Sequence, residues 1–174
     1  MNGYNDTRAF LAALDKAGEL VRITAEVDPY LEVSAIASQV MAGYGPALLF
    51  ENVRGSSIPL LINAYGSERR MAMALGVSSL AEVSDRITSL IDLKPPTSLK
   101  DALGLLPDLA QVRKFPPKRI KRGACQEVLF RGDEIDLAAL PIITCWPEDG
   151  GPYITFPQVI TRSPENGRQN LGMY

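Results

Sequence analysis

The sequence has 174 residues, 46% of them hydrophobic and 22% charged, with 14 glycines, 13 prolines, two cysteines and no histidine. That length and apolar fraction suit one ordinary domain plus part of another, and they exclude a wholly disordered chain. A net charge of −2 argues against a general nucleic-acid binder, which carries a basic surplus, and the missing histidines exclude Ser–His or Cys–His nucleophiles and imidazole zinc sites within these residues.

The opening Met1-Asn-Gly-Tyr-Asn-Asp6 lacks the basic and apolar regions of a signal peptide. No apolar run approaches the ~20 residues that span a bilayer, so a soluble, cytoplasmic protein is expected. Asn5 and Asp6 offer N-caps for a helix that Gly18 stops, with Phe10, Leu11 and Leu14 on one face. Residues 20–23 alternate as a short strand. Asp28-Pro29 reads as an N-cap followed by proline in the first helical turn, and Val33, Ile36 and Val40 carry that helix to Gly43. Strands are predicted at 47–51 and 58–63, joined by a turn-rich segment. Helical spacing returns at 67–75. A capping box, Ser79-Leu-Ala-Glu82, then opens a helix whose stripe is Leu80, Val83, Ile87, Leu90 and Ile91. Residues 1–93 therefore read as an α/β (α+β) layered domain.

At Lys94-Pro-Pro the texture changes, and residues 94–123 read as a proline-rich basic linker. Six of the 18 basic residues fall in 113–122. A phosphate or nucleic-acid arm is the competing reading, but one aromatic residue there makes no stacking platform. From 124 onward the pattern is β: a strand at 127–130, a turn at Gly132-Asp133, an apolar run at 140–144 and a nine-residue strand at 153–161. Ser163-Pro-Glu-Asn-Gly167 is a hairpin loop whose Asn-Gly pair can take positive φ, and 168–174 is the returning strand. A sheet with so few strands leaves an open edge. The chain thus looks like one α/β domain plus the first strands of a second domain, at 124–174.

Two segments concentrate chemistry. Residues 144–155 hold the only tryptophan, Trp146, with Glu148, Asp149 and Gly150-Gly151. The glycines allow close ligand approach. Glu148 and Asp149 are neighbours whose side chains diverge in extended chain, and loop capping is their expected role. In Arg168-Gln-Asn-Leu-Gly-Met-Tyr174, Asn170 and Gly172 share a strand face, so the glycine leaves room beside a carboxamide able to meet a metal or ligand. Cys125 and Cys145 match no zinc or redox spacing and read as reduced, partly buried thiols. Neither a Rossmann fingerprint nor a P-loop is present.

Gly45-Pro-Ala-Leu-Leu-Phe-Glu-Asn52, Cys145-Trp-Pro-Glu-Asp149, Tyr153-Ile-Thr155 and Arg168-Gln-Asn-Leu-Gly-Met-Tyr174 resemble the N-terminal third of the UbiD family of prenylated-FMN-dependent decarboxylases. The likeness is nearest to the 3-polyprenyl-4-hydroxybenzoate decarboxylases of ubiquinone biosynthesis, and it runs over the whole chain in order. The resemblance implies an α/β domain followed by a split β-barrel related to flavin reductases. It implies removal of CO2 from an aromatic or unsaturated acid with prenylated FMN, Mn2+ and K+. Asn170 then matches the family's asparagine metal ligand, and Leu171 a position whose carbonyl faces the monovalent ion. Gly172, Met173 and Tyr174 match the cofactor-lining strand, and Thr155 a threonine near it. A carboxamide oxygen is a hard neutral donor suited to Mn2+. The family's catalytic arginine would follow Tyr174, and its histidine and glutamate ligands lie further on. No catalytic residue is therefore expected within these residues, and the 174 residues alone are expected to be inactive. The resemblance also implies a homo-oligomer, dimer or hexamer, no nucleic-acid partner, and peripheral association with the inner membrane through a prenyl substrate. The alternative is a non-catalytic anion-binding, nucleic-acid-binding or assembly module.

Overall fold

A computed structural model describes residues 3–91, 116 and 120–173. Its packing separates two compact units, Met1–Ser79 with Asp136–Tyr174, and Leu80–Ile135. The linker expected over 94–123 lies largely outside the described residues, as does Tyr174.

In the first unit, α1 (Thr7–Lys16) starts where Asp6 accepts a hydrogen bond from the Ala9 amide at 2.8 Å, and it buries Phe10 and Leu14. Strand β1 (Leu20–Ile23) pairs in parallel with β2 (Ala47–Phe50), Leu20 opposite Ala47, with α2 (Glu32–Ala42) as the crossover. β2 pairs antiparallel with β3 (Leu60–Ile62), Leu48 opposite Ile62. Central β2 is buried along its whole length, because helices cover both faces of the sheet and alternation of side chains serves two cores. Leu48 and Phe50 pack with Val27, Val33, Val53 and Ile143. Ala47 and Leu49 pack with Phe10, Leu14 and Leu20 on the other side. The expected apolar face of α2 is found, since Val33 is buried and Ile36 and Val40 pack against the first core.

The start of α2 differs from expectation. Asp28 does not cap it. Asp28 instead accepts from the Tyr30 amide at 2.8 Å and from Arg54 at 2.6 Å, and the helix begins at Glu32 after Leu31 at φ +65°. The cause is tertiary: residues 29–31 pair with a distant segment. The Thr144 amide donates to the Pro29 carbonyl at 3.1 Å and the Leu31 amide to the Thr144 carbonyl at 3.0 Å. Glu26 and then Asp28 raise the pKa of the Arg54 guanidinium, a link at the surface that adds little stability.

Helix α3 (Glu68–Leu75) is capped by Ser67, which accepts from the Arg70 amide at 3.2 Å. Arg70 is buried to 1% exposure. Its guanidinium donates to Glu19 Oε2 at 2.9 Å and to the Gly45 carbonyl at 3.0 Å. Asn63 Nδ2 donates to the carbonyls of Gly45 and Pro46 at 3.1 and 2.9 Å. A Cβ on Gly66 would sit 1.7 Å from Asn63 Oδ1, so only glycine fits beside that amide. In the second unit, α4 (Leu80–Ile91) follows Ser79 as the capping pattern predicted.

The β region is less regular than expected. Residues 127–130 form no strand; they follow a 3-10 turn at Ala124–Gln126, and Val128, Leu129 and Phe130 are exposed. Apolar alternation makes a strand only when a partner edge is available, and none pairs with it among the described residues. The strand expected at 153–161 is broken by Phe156 at φ +61°. What remains is a bridge from Tyr153 to Ile143 and a strand β4 (Gln158–Arg162). β4 pairs antiparallel with β5 (Gln169–Met173), Thr161 opposite Asn170. The hairpin closes as expected through the Ser163 amide to the Arg168 carbonyl at 2.9 Å. Of the Asn-Gly pair, however, only Gly167 has positive φ, because the Asn166 side chain accepts from the Arg168 amide at 3.0 Å instead. A split barrel needs more strands than these two.

Replacing Arg70 with Ala empties a fully buried site and leaves the Glu19 carboxylate to the exposed Arg69 at 3.2 Å, and is expected to cost about 2–4 kcal/mol in urea unfolding. Arg70→Lys should recover only part of this, since a point charge cannot bridge Glu19 and Gly45 as a fork does. In the same assay Gly66→Ala should cost about 1–3 kcal/mol by displacing the Asn63 amide.

Candidate functional site

The chemistry-rich segment at 144–155 folds back onto α2 and walls a cleft of about 520 Å³. One side is the small-residue face of α2, Ser34, Ala35 and Ser38, with Met41 beyond. The other is Ile143, Cys145, Trp146 and Pro147, and Ile62 and Asn63 close the end. Ser34 shares its hydroxyl proton between the carbonyls of Leu31 at 2.8 Å and Cys145 at 3.0 Å, tying the two walls together. Thr155 also lines the cleft. Two residues before it, the Tyr153 amide donates to the Ile143 carbonyl at 2.9 Å.

Loop capping, the role expected of the acid pair, is found for Asp149. Asp149 Oδ2 accepts from the amides of Cys145 at 3.2 Å and Trp146 at 2.9 Å, closing the Cys-Trp-Pro-Glu-Asp loop. This carboxylate is committed to the backbone, so the loop offers no free pair for acid–base chemistry. Gly150 and Gly151 have open space where a Cβ would be. The expectation of two partly buried thiols holds for Cys145, which is half-buried on the cleft wall, whereas Cys125 is exposed. Cys125 sits in a 3-10 turn rather than in a strand with a covered face.

Asn170, Leu171, Gly172 and Met173 follow one another on β5, opposite Thr161, Ile160, Val159 and Gln158. Asn170 and Gly172 share one face, as period-two alternation requires. Leu171 and Met173 point to the other face and are 59% and 63% exposed. Among the described residues no three His, Cys, Asp or Glu side chains converge on a point. Asn170 is thus one neutral oxygen donor, which fits a single ligand of a shared metal shell and not a whole metal centre. Among the described residues no helix is long and apolar enough to cross a membrane. Ser34, Met41 and Asn63 were not singled out from sequence. The run of small residues Ser34-Ala35 and Ala37-Ser38 was the available signal, because it leaves space on one helix face.

Two family models match the chain in order. The 3-octaprenyl-4-hydroxybenzoate carboxy-lyase N-terminal domain covers residues 11–89, and the Rift-related domain of the same carboxy-lyase covers 118–174. Among solved structures, an evolved dimeric form of the UbiD-class enzyme HmfF from Pelotomaculum thermopropionicum, in complex with prFMN, is similar at 30% identity and TM-score 0.66. The match covers 95% of this chain and 34% of that one. The vanillic acid decarboxylase of Sedimentibacter hydroxybenzoicus in open form is similar at 25% identity and TM-score 0.74, over 99% of this chain and 34% of that one. The apo 3,4-dihydroxybenzoic acid decarboxylase of Enterobacter cloacae shares the fold at 24% identity and TM-score 0.67, over 99% of this chain and 34% of that one. The chain spans about a third of the length of these enzymes.

Asp149→Ala should release the loop at a cost of about 1–2 kcal/mol. Trp146, the single tryptophan, reports it directly: acrylamide quenching is expected to rise and fluorescence anisotropy to fall. Asp149→Asn, which keeps an acceptor oxygen, should lie between.

Proposed function

The chain belongs to the UbiD family, and from that premise we propose that it forms the N-terminal part of a carboxy-lyase that removes CO2 from an aromatic or unsaturated acid with prenylated FMN. The observation that carries this reading is the ordered match of two family models over 11–89 and 118–174, with the second containing Asn170. Similar enzymes act on vanillic acid in one case and hold prFMN in another. Within this range we favour a 3-polyprenyl-4-hydroxybenzoate or a related acid, with a role in ubiquinone biosynthesis. In this reading residues 124–174 open the split barrel, 94–123 link it to the α/β layer of 1–93, and the complete protein is a homo-oligomer that meets the membrane only through its prenyl substrate.

When bound, the flavin supplies an electron sink for the pair left as the bond to the carboxylate breaks. This chain's residues hold and orient it. Asn170 would offer its carboxamide oxygen to Mn2+, and Gly172, two positions on and on the same strand face, leaves room beside it. The Leu171 carbonyl would be a ligand for K+. Met173, Tyr174 and Thr155 would contact the flavin. A single donor cannot hold a divalent ion in competition with water, because binding needs several oxygens at fixed distances. The remaining ligands and the acid–base groups belong to the rest of the enzyme, so the 174 residues alone neither retain metal nor decarboxylate.

Asn170→Ala in the full-length enzyme, produced in cells that make prenylated FMN, should lower bound manganese and flavin together by at least about tenfold. Metal analysis and the flavin absorbance of the purified protein measure this. Full occupancy of both in the variant would remove Asn170 from the site, and turnover by the isolated 174 residues would overturn the division of labour.

A further inference from the structure

Phe156 is the residue whose conformation the sequence explains least. A left-handed backbone is costly for a bulky side chain. The following Pro157 also pushes its predecessor toward extended backbone, yet Phe156 stands at φ +61°. Such a conformation persists only where its surroundings hold it. The neighbouring points are pinned: Tyr153 is bonded to Ile143, and β4 begins at Gln158. Between them the chain must turn, and the ring of Phe156 goes to an aromatic row. It lies 5.7 Å from Tyr65, which stacks on Phe10 at 5.9 Å and 13°. Phe10 in turn meets Tyr4 at 5.2 Å. Phe10 is a core residue of α1, 6% exposed, so the row passes through the core of the α/β layer while its outer ring, Phe156, is 72% exposed. Burial of Phe156 is therefore not what keeps it there. Its ring does have a partner, Tyr65.

We propose that Phe156 is a positioning residue: its ring, clamped on Tyr65, holds the bend at 155–156 so that Thr155 faces the cleft. This rests on the reading that Thr155 contacts the flavin. With the clamp removed, the bend relaxes toward the extended backbone that phenylalanine before proline prefers, and Thr155 leaves its position in part of the population. Apparent flavin affinity then falls by the fraction that remains competent. The worth of one aromatic pair sets this at about two- to tenfold. The row also gives the α/β layer a part in flavin binding without any contact to the flavin, since Tyr65 and Phe10 act only through Phe156.

The test is FMN titration of the full-length apoenzyme, followed by quenching of flavin fluorescence, at a temperature where thermal melts show every variant folded. Phe156→Ala and Tyr65→Ala should each weaken FMN about two- to tenfold, the double variant should be no weaker than the worse single one, and Phe156→Tyr should bind as the parent does. Parent-like binding by Phe156→Ala, with Thr155→Ala weakened, overturns the proposal and leaves the flavin contact standing. Independent, multiplying losses from Phe156→Ala and Tyr65→Ala also overturn it. Parent-like binding by Thr155→Ala removes the underlying contact, and the proposal with it. If Phe156→Ala does not fold, Tyr65→Ala and Phe156→Leu carry the same expectations, since each lacks the ring pair.

Discussion

The buried guanidinium of Arg70 is the constraint on which the rest of the α/β layer depends. It joins three places that the chain reaches separately: Glu19 before β1, Gly45 before β2, and its own helix α3. An arginine is suited to this because its planar fork donates in two fixed directions and stays charged under all ordinary conditions. The desolvation penalty is large, and the pair is offset only because the carboxylate and the carbonyl accept together. The net worth of such a pair against an apolar replacement is small. Its effect is specificity of register, since β1 and β2 can start only where Glu19 and Gly45 reach the same side chain. Asn63 extends the lock by donating to Gly45 and Pro46. Asn63 also lines the cleft, so one wall of the candidate site is part of the same polar cluster.

The other wall comes from far along the chain. Ile143 completes the core that Val27, Val33 and Phe50 begin, and the backbone of 144 pairs with that of 29–31. Residues 11–89 by themselves would leave the side of this core that Ile143 covers open to water. The two matched segments are therefore physically interdependent: the return of 143–153 covers the first core and, in the same stroke, places Trp146 and Thr155 over α2. Asp149 and Ser34 fasten the return by satisfying backbone groups that would otherwise be unpaired at the loop's base.

What could be read from sequence follows the same division between local and distant causes. Asp6 and Ser67 cap their helices as the residue types predict, because capping is decided within four positions. The shared face of Asn170 and Gly172 follows from alternation alone. Asp28 has the local pattern of a cap, but its competing partner, Arg54, and the pairing of 29–31 with 144 are invisible in that pattern. The apolar run at 127–130 had the composition of a strand, but a strand is a property of two segments. Phe156 was hidden most deeply. Positive φ is legible at Gly167, where the residue allows it, and illegible at phenylalanine, where the surroundings impose it.

The proposed ligands differ in how the fold holds them, and this bears on which need support. Asn170 stands on a strand, where five paired positions fix its direction. Thr155 stands at a bend between a lone bridge and the start of β4, with no ladder of its own. A group on a strand inherits precision from the sheet, whereas a group on a bend needs a dedicated clamp. The row from Tyr4 to Phe156 supplies one, and it links the bend to α1, an element with no ligand assigned to it. On this view the α/β layer contributes more than a surface beside the barrel. It acts as the body against which the least constrained of the proposed cofactor contacts is braced.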